Sequence, residues 1–148
     1  MALYHFSVRH VSRGKGQMVV ASAAYISGQR IFDSYYNKIH DYTSKSGVVF
    51  TEILTPEYVP ERLTDRETLW NEVEHVERNN KAQLAYSFDI ALQNELTLEE
   101  NIRLAKEFCQ EQFVARGMIV DLAVHEGKST FPCACTNPSF YRGRNLGQ

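Results

Sequence analysis

Residues 83–92 carry the alternation that most constrains the fold. Apolar side chains recur there at every second position, namely at Leu84, Tyr86, Phe88, Ile90 and Leu92. Because successive side chains of a strand point to opposite faces, this segment is predicted to be a central strand with a buried face. A half-buried strand needs a second layer to cover it. The chain is therefore expected to fold as a layered domain built on a sheet.

A long helix is predicted directly after this strand. Thr97 stands three residues before Glu100, which is the spacing of a capping box, and apolar residues then recur at helical spacing as far as Phe113. Gly117 supplies a natural stop, because glycine readily adopts the left-handed conformation that ends many helices.

The remaining periodic segments predict an α+β domain. Strands are expected at residues 3–11, 48–54 and 118–125, and helices at residues 19–31 and from Thr64 or Asp65 to about residue 79. Strands and helices alternate in this order, so the helices are expected to cover one face of the sheet. A chain of 148 residues with 43% hydrophobic content is expected to form one domain.

Two segments lack a clean period. Residues 33–47 are polar and aromatic, and they are predicted to form a loop or extended arm that can stack on bases. Residues 127–148 hold two of the four prolines and no acidic residue, and they are predicted to form an irregular tail.

The composition predicts a soluble cytoplasmic protein without a membrane span or signal peptide, since no apolar run is long enough for either. The three cysteines are Cys109, Cys133 and Cys135. Their odd number and the close spacing of two of them are not typical of a disulfide framework, so reduced thiols are expected.

The net charge of −2 hides a strong bias between segments. Residues 1–45 carry six Lys or Arg against two acidic residues, residues 46–126 carry seven against sixteen, and residues 127–148 carry three and no acid. The basic N-terminal third can meet a phosphate backbone, because local field governs such contacts, although a solvated mixed surface explains the charges equally well. The candidate DNA contacts are Arg9, Arg13, Lys15 and Arg30.

Tyr25 and Asp89 are candidate catalytic residues. Tyr25 lies among small residues on the predicted helix 19–31, where a phenol can reach a phosphate, although packing is the more common role of such a tyrosine. Asp89 is polar among apolar neighbours. It is either a carboxylate beside a metal ion or an outward-facing position.

His125, Cys133 and Cys135 are candidate metal ligands. The two cysteines follow the histidine by eight and ten residues. Imidazole and thiolate together can bind zinc, but this spacing is not a standard zinc-finger pattern.

Several short segments form a specific set when they are taken together. They are residues 2–6, Gly16-Gln17, Ser22-Ala23-Ala24-Tyr25, Arg30-Ile31, Asp41-Tyr42, residues 49–56, 66–71 and 73–74, Gln83-Leu84-Ala85, Asp89-Ile90-Ala91-Leu92, Asn94-Glu95-Leu96 and residues 118–125. Through them the chain resembles, over about residues 1–125, the nicking domain of the MobA/MobL family of plasmid mobilisation relaxases.

This resemblance implies a fold and a reaction. The implied fold is an α+β domain of the HUH endonuclease type, an antiparallel sheet with flanking helices. In such relaxases a tyrosine attacks single-stranded DNA at the origin of transfer and forms a 5′-phosphotyrosyl link, and the match puts this role on Tyr25. A divalent ion such as Mg or Mn, normally held by three histidines, polarises the phosphate, and the first of these histidines corresponds to His125. The implied partners are origin-of-transfer DNA and accessory relaxosome proteins, with no membrane.

The chain departs from the family where two further histidines are expected. The family pattern is Pro-His-x-His, and this chain has Pro132-Cys133-Ala134-Cys135, whose thiolates favour soft metals such as zinc. The codons CCA TGC GCA TGC are one way to encode this run, and the same bases read His-Ala-His when the frame is shifted by one base. A frameshift near Thr130 is therefore one hypothesis for the tail. Residues 1–126 are then an incomplete nicking domain that lacks its last metal-bearing strand, and residues 127–148 are an irregular tail.

Three functions stay open at this point. The chain is a DNA-nicking relaxase, an inactive remnant that binds single-stranded DNA, or a small zinc-binding protein with His125, Cys133 and Cys135 as its ligands.

Overall fold

The computed structural model describes residues 6–142 of the chain. Residues 1–5 and 143–148, which include the start of the predicted first strand and the end of the predicted tail, lie outside the described range. The strands in this range are β1 (Phe6–Ser12), β2 (Arg30–Asp33), β3 (Lys38–Asp41), β4 (Val48–Leu54), β5 (Gln83–Ala91), β6 (Val120–His125) and β7 (Thr130–Cys135). The helices are α1 (Val19–Ser27), α2 (Arg66–Val76), α3 (Leu98–Gln112) and the short α4 (Ser139–Arg142), and 3₁₀ turns lie at Arg13–Lys15, Glu61–Thr64 and Val114–Arg116.

Within residues 6–142, five strands form one sheet in the order β1-β5-β7-β6-β4, while β2 and β3 form a separate hairpin. All neighbours in the sheet are antiparallel. The predicted fold class, α+β with an antiparallel sheet and flanking helices, is confirmed.

Strand β7 corrects two expectations about the C-terminal segment. Residues 130–135 are not irregular, and no final strand is missing, because β7 lies at the centre of the sheet between β5 and β6. The pairing of β7 with β6 covers only Cys133 to Cys135. Pro132 therefore lies where β7 pairs with β5 alone, a position at which a strand tolerates proline. The strand escaped sequence analysis because its last three residues are all buried, and a strand covered on both faces shows no alternation.

Helices cover both faces of the sheet, whereas the sequence predicted one covered face. The first core lies on the side of α1 and α2, and its buried side chains include Val20, Ala23, Leu69, Trp70 and Ala134. The second core lies on the side of α3, and its buried side chains include Phe88, Ala105, Cys109, Leu122 and Cys133.

The expected caps begin both long helices. Asp65 accepts a hydrogen bond from the backbone N–H of Thr68 at the start of α2, and Thr97 and Glu100 form the predicted capping box of α3. No helix in the described part of the chain is both long and apolar enough to cross a membrane.

Part of the predicted loop at residues 33–47 belongs instead to the β2–β3 hairpin, which packs on α2. Asn71 of α2 accepts a hydrogen bond from the Ser34 N–H at 2.8 Å and donates one to the Phe32 carbonyl at 2.8 Å. Inside the hairpin, buried Asp33 and His40 contact each other at 2.9 Å. The segment lacks a clean hydrophobic period because the residues that hold it in place lie on α2, far along the chain.

Candidate functional site

Helix α1 holds Tyr25 at the protein surface. Val20, Ala23 and Ala24 are at most 2% exposed and anchor the helix, whereas Tyr25 is 55% exposed. The helix ends at Gly28, whose φ of 67° is a left-handed conformation that glycine adopts without strain. The tyrosine is therefore accessible on a helix that is fixed by its small buried residues.

Two side chains from other elements bind consecutive carbonyl groups near the end of α1. The Lys45 Nζ donates to the Tyr25 carbonyl at 2.7 Å, and the His125 Nε2 lies 2.9 Å from the Ile26 carbonyl. Carbonyls in the last turn of a helix have no intrahelical donor, so these contacts satisfy them. Because a carbonyl only accepts, the His125 Nε2 carries the proton, and only its Nδ1 is left for another partner.

The Tyr25 ring contacts two neighbours. Tyr42 meets it edge-on with ring centroids 5.3 Å apart, and the Lys45 Nζ lies 3.7 Å from its centroid. The pKa of Lys45 is lowered, first by burial and then by the positive charge of Lys128.

These residues line a groove of about 870 Å³ between α1 and the sheet. Its lining includes the basic residues Arg9, Lys45 and Lys128 and one carboxylate, Asp89. Three cations against one anion give the groove a net positive charge, which suits a phosphate backbone.

Asp89 lies with Tyr25 and His125 in this groove. Its carboxylate is 3.4 Å from the Arg9 guanidinium, and its side chain is 29% exposed. The structure thus brings together Tyr25, Asp89, His125 and Arg9, which the sequence singled out separately.

The predicted metal ligands do not come together. His125 lines the groove, whereas Cys133 and Cys135 point into the second core on the opposite face of the sheet. Side chains of a strand alternate between its faces, so Pro132 and not the cysteines lines the groove. Among residues 6–142, no group of three or more His, Cys, Asp and Glu side chains is placed to hold a metal ion. The structure thus does not bring together the three ligands that the zinc-protein hypothesis requires.

The three cysteines form a buried cluster behind the groove. All three are 0% exposed. The pKa of Cys109 is raised by its hydrogen bond with Cys133 and by burial. For Cys133, the hydrogen bond with Cys109 lowers the pKa, but its hydrogen bond with Cys135 and burial outweigh this and raise it well above its ordinary value. The raised pKa values favour the neutral thiol form of these two buried side chains.

Of the four predicted DNA contacts, Arg13 is wrong. Its side chain is 7% exposed and forms an ion pair with Glu74 at 2.6 Å, and it also donates to the Glu77 and Asn79 carbonyls at 2.6 and 2.9 Å. All of this occurs inside the protein, so the guanidinium is a structural anchor.

The other three predicted DNA contacts are accessible. Arg9 lines the groove and Lys15 is exposed on the turn after β1. Arg30 is exposed on β2, where it lies 3.9 Å from Asp41.

Lys45 and Lys128 also line the groove, although the sequence did not predict them as candidate site residues. Each is a single basic residue in a segment without a clean period, so no local signal marks it. Only the tertiary packing beside α1 brings them into the groove that Tyr25 lines.

The fold and the site together define a small α+β domain that presents an exposed tyrosine in a basic groove. The model of the MobA/MobL family matches residues 17–139 of this chain. The chain belongs to the MobA/MobL family, as its motifs predicted.

Curated relatives share much of this chain. The conjugal transfer protein TraA of Rhizobium radiobacter is 38% identical over 136 residues, which cover 85% of this chain and 12% of TraA. The mobilization protein MobL of Acidithiobacillus ferridurans is 34% identical over 125 residues, which cover 84% of this chain and 32% of MobL. The chain thus spans less than two thirds of the length of each of these relatives.

A solved structure shares the fold. A chain described under "Molecular Basis of Vancomycin Resistance Transfer in Staphylococcus aureus" is similar to this chain with a TM-score of 0.82 and 38% identity, over 91% of this chain and 69% of that chain.

Proposed function

We propose that this chain binds single-stranded origin-of-transfer DNA in the Tyr25 groove and that Tyr25 nicks that DNA. The observation that carries the proposal is an exposed tyrosine on a fixed helix, inside a groove lined by Arg9, Lys45 and Lys128. The names of the relatives, which are mobilisation and conjugal transfer proteins, support the same function. Accessory relaxosome proteins are the further partners of this proposal.

The proposed reaction is a transesterification. The Tyr25 phenol oxygen attacks the phosphorus of one phosphodiester, so that a bond forms between this oxygen and phosphorus while the bond from phosphorus to the 3′ oxygen breaks. The phenol loses its proton and the leaving 3′ oxygen gains one, which gives a 5′-phosphotyrosyl link and a free 3′-hydroxyl. The ester is retained, so the reverse reaction rejoins the strand.

The side chains of the groove have separate tasks in this reaction. Arg9, Lys45 and Lys128 offer positive charge to the phosphate, which gains negative charge at its oxygens in the transition state. His125 holds the end of α1 through the Ile26 carbonyl. Arg9 also compensates the charge of Asp89, which otherwise repels the DNA.

The residues present do not fit the three-histidine metal site that the family resemblance implies. Of the three predicted ligands only His125 faces the groove, where His10 of β1 is the other lining histidine, and the His125 Nε2 already binds the Ile26 carbonyl. We therefore assign no step of the reaction to a metal ion. The frameshift hypothesis for residues 132–135 stays a prediction that the codons of the gene decide.

A second function is binding without cutting. The burial of Cys133 and Cys135 in the second core favours it, because the groove then lacks two of the three ligands that the family uses. The basic groove and the exposed tyrosine suit strand binding in either case.

A covalent-adduct assay separates the two functions. The purified chain is incubated with a single-stranded origin-of-transfer oligonucleotide labelled at its 3′ end, with and without Mn or Mg, and protein-bound label is sought after denaturation. Tyr25→Phe removes the nucleophile. Tyr58→Phe is the matched control, because Tyr58 is 47% exposed and stacks on Tyr141 instead of lining the groove.

Each outcome decides the proposal. Adducts with the parent and Tyr58→Phe, and none with Tyr25→Phe, support nicking. Salt-sensitive binding by all three proteins without any adduct supports the binding function. A chain that binds no single-stranded DNA at low salt contradicts both.

A further inference from the structure

Lys45 contacts Tyr25 at two places at once. Its Nζ donates to the Tyr25 carbonyl at 2.7 Å and lies 3.7 Å from the centroid of the Tyr25 ring. A single ammonium group therefore contacts both the backbone and the side chain of the tyrosine.

Both contacts are physically favourable where they occur. The C-terminal end of a helix carries partial negative charge, so a cation at the Tyr25 carbonyl is stabilised there. The face of an aromatic ring also attracts a cation. Removing the ammonium releases the ring and leaves a carbonyl near the end of α1 without its donor.

Lys128 brings a second positive charge to the same place. The loop after β3 and the turn after β6 are joined by a hydrogen bond from the Glu126 N–H to the Gly47 carbonyl at 2.6 Å. The charge of Lys128 is near enough to Lys45 to contribute to the lowering of its pKa. Two like charges repel each other, so an anion bound between them is favoured.

The carboxylate of the groove is compensated by another residue. Asp89 on β5 is paired with Arg9 of β1 at 3.4 Å. Lys45 and Lys128 come instead from the two loops beside the end of α1 and line the same groove as Tyr25.

We propose that Lys45 is the positioning residue of Tyr25 and that Lys45 and Lys128 together bind a DNA phosphate beside the tyrosine hydroxyl. This inference rests on the proposed binding of single-stranded DNA. It goes beyond the proposed function by giving Lys45 a positioning role and by assigning one phosphate to Lys45 and Lys128 together.

The test compares four variants with the parent chain. Lys45→Gln keeps an amide donor and removes the charge, Lys45→Arg keeps the charge with another shape, and Lys128→Gln removes the second charge. Lys38→Gln is the matched control, because Lys38 is an exposed lysine on β3 outside the groove lining. Thermal unfolding first establishes that each variant is folded.

Three measurements report different parts of the proposal. The dissociation constant for a fluorescent single-stranded oligonucleotide is measured against salt concentration. The rate of adduct formation is measured at saturating DNA. The ring signals of Tyr25, assigned through Tyr25→Phe, are followed by NMR in the absence of DNA.

The expected results distinguish the phosphate-binding role of the two lysines from the positioning role of Lys45. Lys45→Gln and Lys128→Gln each reduce the slope of log affinity against log salt by about 0.7, as for one phosphate contact, while Lys38→Gln does not. Lys45→Gln also moves the Tyr25 ring signals and slows adduct formation at saturation by about 10- to 100-fold, since the nucleophile is misplaced. Lys128→Gln leaves the ring signals unchanged. Lys45→Arg retains the parent's salt slope.

Other results overturn the inference. A Lys45→Gln variant with the parent's Tyr25 ring signals has lost no positioning residue, and one with the parent's salt slope has lost no phosphate contact. If the parent chain binds no single-stranded DNA, the proposed function fails together with the phosphate contact, and the NMR signals still decide the positioning role. If the parent binds without forming an adduct, the salt slope and the ring signals decide both parts.

Discussion

Replacing Arg13 with methionine tests whether this arginine anchors the fold or contacts DNA. Arg13 donates two hydrogen bonds to Glu74 Oε1, at 2.9 and 2.6 Å, and one to the Glu74 carbonyl at 2.7 Å. It donates two more to the Glu77 and Asn79 carbonyls. Glu74 is 0% exposed, and its Oε2 is buried without a hydrogen-bond partner. Arg13→Met therefore leaves a buried carboxylate with no counter-charge.

The expected loss is large. Breaking a buried ion pair by removing one partner costs about 3–5 kcal/mol, out of a total stability of about 5–15 kcal/mol for a domain of this kind. The double variant Arg13→Met/Glu74→Gln is expected to recover part of this loss, because the amide carries no charge to leave unpaired. Lys15→Met, on the same turn but exposed, is expected to change stability by no more than about 0.5 kcal/mol.

Urea unfolding measures these differences directly. The chain has a single tryptophan, Trp70, which is 0% exposed in the first core, so its fluorescence reports global unfolding. A change below about 1 kcal/mol for Arg13→Met, typical of an exposed residue, together with weakened DNA binding, would refute the reasoning and restore Arg13 as a DNA contact.

Two further predictions concern the core and a helix cap. Cys109 and Cys133 are expected to resist thiol-specific labelling in the native protein at neutral pH and to react after unfolding, because both are fully buried and their pKa values are raised. Rapid native labelling, or stoichiometric zinc in the purified chain, would contradict this. Asp65→Ala is expected to lower the free energy of unfolding by about 1 kcal/mol at neutral pH, since it removes the cap of α2. The hydrogen bonds from the Thr68 hydroxyl and N–H lower the pKa of Asp65 below its ordinary value of 3.8, so the stabilisation is complete above that pH and is lost as the pH falls through the folded pKa. Urea titrations at pH 7 and near pH 3 check this, and a difference between parent and variant that persists unchanged at low pH would refute it.

Short-range patterns predicted most of the helices and strands. The capping box of Thr97 and Glu100 and the alternation of β5 are read from residues only two to four positions apart, and both are present in the structure. The motifs around Tyr25 likewise predicted the family, which the match over residues 17–139 confirms. Because these signals lie in neighbouring residues, the sequence by itself determined the class of fold, the family and the choice of Tyr25 as the candidate nucleophile.

The tertiary structure alone decided which side chains share the groove. Arg13 lies 61 positions before its partner Glu74, and the contact between His125 and the Ile26 carbonyl spans 99 positions. No local period encodes such pairs, so Arg13 was predicted as a surface cation, and Lys45 and Lys128 were overlooked. The two faces of β7 give the same lesson: its register against β5 and β6 turns Cys133 and Cys135 into the core and Pro132 toward the groove. Residue identity sets the available chemistry, but strand pairing determines which face presents it, because a shift of one residue moves every side chain of a strand to the opposite face.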